Sequence, residues 1–465
     1  MLTSTANEDI RTSFWPRVRE FAVPASMIET ATARRLAGDW SGACAAAGFD
    51  VDLNLRAVAR DHGRELASRV RSDLRALAPD LLRWHLPRIA PDGLLRPGLT
   101  LTLARYEAVE GPVHLVARTA PAWADAGQRI GLALWSRATA DAVRHPHPRP
   151  NRRFRLDLHR HLWDAGRAGE LRERSGAGEG NRGGGTGEPS FGSVTGQPHL
   201  SAAELGTPPE CAVDRWAAEA RILLGAEGRS GGRLLVRCGG RHRLVLELAA
   251  DGDLIRPVPT PSADIVSVLP VLPDAATWVP PDLQLLRAGA IEPARLHPLV
   301  AAALTPERAA GGPPRTPDRT GTPRLVECRG ARHRIGLVDG VLAPLDHDPD
   351  EIRREELLVA LTGTPLPCLQ AIDEAHRRPH CLDGVRERLV HGDTAGALAV
   401  VEGLLGPEAL LRAGPLREAL EAAALRRITY GLFRAGLAGP GPARFRPRPS
   451  GRDARNRRTR PRHAT

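Results

Sequence analysis

Residues 235–246, LVRCGGRHRLVL, and residues 325–337, LVECRGARHRIGL, carry one pattern twice. Each reads as strand, glycine turn, strand. A leucine- and valine-rich run meets glycine, which tolerates the backbone angles of a tight turn, and an alternating run returns. With one inserted residue, Cys238 matches Cys328, Gly239 matches Gly330, His242 matches His333 and Leu246 matches Leu337. Period-two alternation puts His242, Leu244 and Leu246 on one face and Arg241, Arg243 and Val245 on the other; His333, Ile335 and Leu337 repeat the first set. The echo predicts small antiparallel sheets, and the helical stretches around them make the class α+β.

Working outward, residues 1–95 read as helical: Leu53 to Ala76 spaces Leu53, Val58, Leu66, Val70 and Leu74 mostly by three and four, and Asp80 to His85 continues before Pro87. From Leu99 the period drops to two, with Leu99, Leu101 and Leu103 against Thr100, Thr102 and Ala104, as in a half-buried strand; Val113 to Thr119 and Arg129 to Trp135 are its expected partners. Phe154 to Arg174 returns to a helical pattern, Ala212 to Leu224 is a helix, and Asp350 to Leu437 is helical with Gly363, Gly392, Gly406 and Gly414 as stops. Eight glycines within 174–192 mark a disordered linker. The expected organisation is two lobes, each with helices and a small antiparallel sheet. The boundaries are an N-terminal lobe at 1–173, a linker at 174–208, a middle unit with the first hairpin at 209–305, a linker at 306–323, a second hairpin with a helical C-lobe at 324–438, and a disordered tail at 439–465.

A second echo is helical: 34–46, RRLAGDWSGACAA, against 388–400, RLVHGDTAGALAV. In each a helix stops at glycine (Gly38, Gly392), an aspartate (Asp39, Asp393) caps the next helix, and Gly42 or Gly396 follows in its first turn. The two lie too far apart for a solenoid, which needs adjacent repeats, so they read as isolated helical hairpins.

All 65 basic residues are arginine. The absence of lysine excludes a Walker-type phosphate loop, a kinase β3 lysine, a Schiff base and a pyridoxal phosphate anchor. The net charge of +11 is concentrated at the end, where Arg444, Arg446, Arg448, Arg452, Arg455, Arg457, Arg458, Arg460 and Arg462 face one acid, Asp453. Such a tail buries nothing and offers a salt-sensitive handle for nucleic acid, with Arg144, Arg149, Arg152 and Arg153 of a proline-rich loop as helpers; the plainer reading is a solubilising end. The six cysteines are dispersed and form no CxxC, the N-terminus lacks a signal-peptide core, and no apolar run is long enough to span a membrane. A reduced, cytoplasmic protein without membrane contact is the expectation.

Candidate metal chemistry is sparse. Cys238, His242, Cys328 and His333 have the donor types of a Cys2His2 zinc site, but each hairpin offers a single cysteine, and a duplicated β-unit with a small buried cysteine explains them as well. Cys368, His376, His380 and Cys381 form C-x7-H-x3-H-C; His376 and His380 are one helical turn apart, although Pro379 between them ends a helix. Zinc is the one cofactor these residues leave open. His145, His147, His159 and His161 offer a patch without fixed geometry; in a helix His159 and His161 point apart, and the segment reads as a solvated polar face. The run Asp346 to Glu351 opens like a calcium loop but has Glu351 where glycine is required, so it reads as an acidic helix cap. No GxSxG occurs, and no GxGxxG joins a strand to a helix.

The segments SFWPRVREFAVPASMIETATARRLAGDW (13–40) and VECRGARHRIGLVDGVLAPLDHDPDEIRREELLVALTGTPLPCLQAIDEAHRRP (326–379) resemble a protein family of high-GC bacteria to which no activity is assigned. The resemblance carries no site residue over; it implies an AAA+ ATPase of the MoxR type as partner. The expected function is a non-enzymatic interaction or scaffold protein. The alternatives are a nucleic-acid-associated protein acting through its tail and a metal-dependent hydrolase.

Overall fold

The computed structural model describes residues 8–124, 128–138, 145–177, 202–239, 242–250, 255–309, 324–328, 330–338, 341–344, 346–348, 350–354, 357, 367–369, 380–405 and 414–437. The fold is α+β. The tail at 439–465, and with it the arginines from Arg444 to Arg462, lies outside the described residues, as do 178–201 of the expected linker.

The chain opens with helices α1 (Glu8–Phe21), α2 (Ala25–Leu36) and α3 (Trp40–Ala46), strand β1 (Phe49–Asp52), then α4 (Leu55–His62), α5 (Arg64–Ala76) and α6 (Pro79–His85). The helical period holds where it was strongest: Leu66, Val70 and Leu74 form the buried stripe of α5. Gly63, at φ 91°, splits the expected long helix into α4 and α5. After the short pair β2 (Arg88–Ile89) and β3 (Leu94–Leu95) come β4 (Thr100–Tyr106), β5 (Val113–Thr119) and β6 (Ile130–Trp135). These three are antiparallel neighbours as read, but β1 joins the sheet parallel to β6, giving the order β1-β6-β5-β4. The sheet is therefore mixed. Four residues are too few to show a period, and β1 exists through its pairing with a strand much later in the chain.

Strand β4 is buried on both faces rather than half-buried: Leu101 and Leu103 face the main core, and Thr100 and Thr102 are covered by residues 147–155. The segment after Phe154 folds as three 3-10 turns, Leu156–Leu158, Arg160–Leu162 and Ala165–Glu170, ending in α7 (Leu171–Arg174), and not as one helix. Tertiary contacts fix these turns: Thr102 N–H donates to Phe154 O, and the Trp163 indole donates to Leu156 O. His159 and His161 are consequently interior, at 2% and 4% exposure, which corrects the solvated-face reading.

Residues 202–208, assigned to the linker by composition, are turns that bury Leu205. A 3-10 turn, Val213–Arg215, leads into α8 (Trp216–Ala226), which buries Trp216, Ala220, Leu223 and Leu224 against the sheet β7 (Gly232–Arg237), β8 (Arg243–Leu248) and β9 (Ile255–Val258). The first hairpin is as expected, with Arg237 opposite Arg243 and Val236 opposite Leu244, and β9 extends it to three strands. Short helices α9 (Ala263–Val268), α10 (Asp274–Thr277), α11 (Pro281–Arg287), α12 (Pro298–Leu304) and α13 (Pro306–Ala309) follow.

The sequence placed 209–305 in one unit; the buried clusters divide it. Residues 205–278 enclose their own core, whereas Leu285, Ile291, Leu296, Val300 and Leu304 pack into the N-terminal core. The link is chemical as well as apolar. Arg19 of α1, 3% exposed, donates from Nε and Nη2 to the two carboxylate oxygens of Asp282 at 2.8 and 3.0 Å, and from Nη1 to Trp84 O at 2.6 Å. The Trp84 indole donates to Asp282 at 3.0 Å, and His297 Nε2 lies 3.0 Å from Asp80.

The second hairpin, β10 (Arg324–Cys328) and β11 (Ala331–Val338), is likewise extended antiparallel by β12 (Val341–Pro344), so the echo covers three strands rather than two. The last helices are α14 (His380–His391), α15 (Thr394–Leu405) and α16 (Pro415–Ala435). The helical echo is reproduced in detail. Gly38 and Gly392 adopt φ 78° and 86°, Asp39 and Asp393 accept from Gly42 N and Gly396 N at 2.8 and 2.9 Å, and each carboxylate also receives Arg34 or Arg388. A Cβ at Gly42 or Gly396 would collide with the capping carboxylate.

These helices dock on the N-terminal sheet. Tyr430 O–H donates to Asp50 at 2.6 Å and Arg434 forks onto Asp52 of β1 at 2.8 and 2.6 Å. The buried Arg83 donates to Ala22 O, Gln128 O and His391 O at 3.0, 2.6 and 2.8 Å. Among the described residues no helix is long and apolar enough to cross a membrane.

Candidate metal centre

Three donors from separate elements meet beside the second sheet. Cys328 ends β10 just before the turn at Gly330, which adopts φ 79°. His347 follows β12. Its position is set by its neighbour Asp346, which accepts from Arg334 N at 2.6 Å and from Arg334 Nη2 at 2.7 Å; this ion pair holds the Asp346 carboxyl down at about 2. Asp348 then caps the helical residues 350–354 through Asp350 N at 3.0 Å, so the acidic run is a helix cap, as its spacing predicts. Cys368 sits in the helical stretch 367–369.

The ligand atoms of Cys328, His347 and Cys368 all lie within 4.8 Å of one another. Both cysteines are fully buried, with Val326 and Leu369 packed beside them, and the His347 side chain is 4% exposed. His347 Nε2 is buried without a hydrogen-bond partner, while Nδ1 lies 3.6 Å from Glu351 Oε2. His333 of β11 stacks on His347 with ring centroids 4.2 Å apart, and its Nδ1 is also buried and unpaired. Burial, then the hydrogen bond and charge of Cys328, then Asp346, push the Cys368 thiol up to about 11.

This donor set fits zinc. Two sulfurs and an imidazole nitrogen are among its preferred ligands, and tetrahedral coordination puts such donors roughly 3.3–3.8 Å apart, about an ångström closer than the outer limit here. A ligating imidazole ordinarily carries an outer partner on its other nitrogen; Glu351 Oε2, 3.6 Å from His347 Nδ1, lies just beyond hydrogen-bond distance for that role. Any cation entering must displace thiol protons.

The structure redistributes the candidates read from sequence. Cys328 and Cys368 were singled out in different sets, and they belong together. Cys238 lies elsewhere: it packs with Trp216 and Leu246, and a hydrogen bond from Cys211 lowers its pKa against the effect of burial. His242 is exposed, so Cys238, His242, Cys328 and His333 do not assemble into one site. Of Cys368, His376, His380 and Cys381, His376 and the side chains of His380 and Cys381 lie outside the described residues. Sequence reasoning missed His347. Its only signal is the spacing C-x18-H-x20-C, too wide for a zinc-knuckle pattern.

His145 and His159 serve the fold. His145 uses both ring nitrogens, on Thr119 O at 2.9 Å and His147 N at 3.2 Å. His159 Nδ1 meets Arg174 at 3.1 Å, and Arg174 forks onto Glu219 at 2.7 Å twice. Burial, with Arg174 next, holds His159 down at about 3. Cys44, Cys211, Cys238, Cys328 and Cys368 are free thiols. In comparisons with known proteins, no family model, curated protein or solved structure matches this chain.

Proposed function

We propose that the chain is a non-enzymatic scaffold whose C-terminal β-unit is fastened by a structural zinc ion on Cys328, His347 and Cys368. One observation carries this reading: three soft donors from three elements converge in the interior with the imidazole Nε2 unsatisfied. Burial of all three supports a closed, structural centre over the hydrolase alternative, because catalytic zinc keeps a position open to water. Free described thiols support a reducing, cytoplasmic setting. The apolar residues Leu425, Ile428 and Leu432 stand 63%, 60% and 41% exposed along one side of α16 and support a protein partner, for which the AAA+ ATPase implied by the resemblance is the candidate.

The test is metal analysis of protein purified without chelator. One zinc per chain is expected, falling to none in the Cys328→Ser/Cys368→Ser double variant. Cobalt substituted for zinc should show thiolate charge-transfer absorption that the variant lacks. No stoichiometric zinc in the wild type, or unchanged zinc in the variant, would refute the reading.

A further inference from the structure

The face of the β7–β8–β9 sheet turned away from α8 packs Leu235 and Val245 on Leu269 and Val271. Arg237 and Arg243 stand on the same face, directly opposite one another in the ladder. Like charges at that position repel across the strands, so the pair costs stability unless something answers it. Among the described residues nothing does. Neither guanidinium has a hydrogen-bonded acceptor, and Arg237 Nε is buried without one. Arg96 and Arg153 lie within electrostatic reach of Arg237 and add to the repulsion. Asp274, the acid that opposes them, is already occupied: Arg153 binds its two oxygens at 2.9 and 2.6 Å.

Arg237 and Arg243 border a cleft of about 510 Å³ that Arg152 and Arg153 also line, with Val266 and Val271 among its apolar lining. Arg152 is fixed in place by donating to Leu269 O and Ser267 O at 3.1 and 2.8 Å. A second cleft of about 590 Å³, containing Arg96 and Arg149, shares Asn151 with the first. A guanidinium presents a planar fork that matches phosphate oxygens two at a time.

From the repelling cross-strand pair and the cleft it borders, we infer that this chain binds a small organic phosphate, with its phosphate between Arg237 and Arg243 and its apolar portion against Val266 and Val271. The size suits such a ligand, since small-molecule sites run from roughly 300 to 1,000 Å³. The site is independent of the zinc centre, and a phosphate resolves the repulsion by supplying the missing negative charge.

Calorimetric titration of the full chain with a nucleoside diphosphate, inorganic pyrophosphate and a short single-stranded oligonucleotide tests this. The diphosphate should bind, pyrophosphate should bind at least tenfold more weakly, and Arg237→Gln/Arg243→Gln should weaken the diphosphate at least tenfold. That variant should unfold no earlier than the wild type, since it relieves a repulsion. Arg243→Gln alone, on an exposed residue, gives the same readout if the double variant misfolds. Absence of diphosphate binding at millimolar concentration, an unchanged affinity in both variants, pyrophosphate binding equally well, or tighter binding of the oligonucleotide per phosphate would each overturn the assignment.

Discussion

Replacing Asp282 with alanine should be among the most damaging single changes in the chain. Its carboxylate accepts three hydrogen bonds, two from Arg19 and one from the Trp84 indole, at 2.8 to 3.0 Å, and is 1% exposed. The substitution leaves the Arg19 guanidinium charged, buried and without an anion, and breaking a buried pair from one side costs about 3–5 kcal/mol. On a core of this size that corresponds to a fall in Tm of roughly 6–20 °C. Arg19 also lies 4.3 and 4.9 Å from the ring centroids of Trp84 and Trp15, contacts worth about 0.5–2 kcal/mol when desolvated. Removing both charges together, as Arg19→Met/Asp282→Leu, should therefore recover part of that loss, because the stranded cation is gone, while the ring contacts and the bonds that each side chain makes with Trp84 are lost with it. Urea unfolding followed by circular dichroism measures all three proteins. A loss below about 1 kcal/mol in Asp282→Ala, or a double variant as unstable as the single one, would refute both the pairing and the placement of α11 in the N-terminal core.

Two further outcomes can be measured. Burial is the main reason that His159 and His391 are held down at about 3 and that His85 and His161 are lowered well below their ordinary value, with nearby arginines adding. In the unfolded chain each takes up a proton near pH 6.5, so the folded state binds fewer protons, and its stability is complete above pH 6.5 and lost as pH falls below it. Stability should therefore fall as pH drops from 7 to 5, and urea midpoints that stay constant over that range would contradict this burial. Asp393→Ala removes the cap of α15 and should cost about 1 kcal/mol, and Asp39→Ala should cost as much at α3, since the geometry is shared; calorimetric scans showing one change silent and the other costly would break the structural equivalence of the two hairpins.

What could be read in advance was whatever a local period encodes. Leu66, Val70 and Leu74 stand on one helical face, Arg243 and Val245 share a strand face, and Asp39 and Asp393 cap their helices, because each follows from spacing within a few residues. The failures share one cause. Strand β1, the turns after Phe154 and the docking of 281–304 on the first helices depend on partners distant in the chain, which no window contains. The same holds for the candidate centre. Cys328 and Cys368 were visible as residue types, but the partner that joins them, His347, stood in a run whose acidic residues pointed to calcium or a cap. Arg149, Arg152 and Arg153 were legible as a basic loop; Arg237 and Arg243 were legible as strand residues; their convergence was not.

The reach of Arg83 bears on how this protein is made. One guanidinium closes carbonyls from the end of α1, from the stretch before β6 and from the last residue of α14. A chain emerging from the ribosome lacks the carboxylate that pairs with Arg19 until residue 282, and one of the carbonyls that Arg83 uses until residue 391, has been synthesised. The native set of hydrogen bonds on these two guanidiniums is thus complete only after α14 has been made.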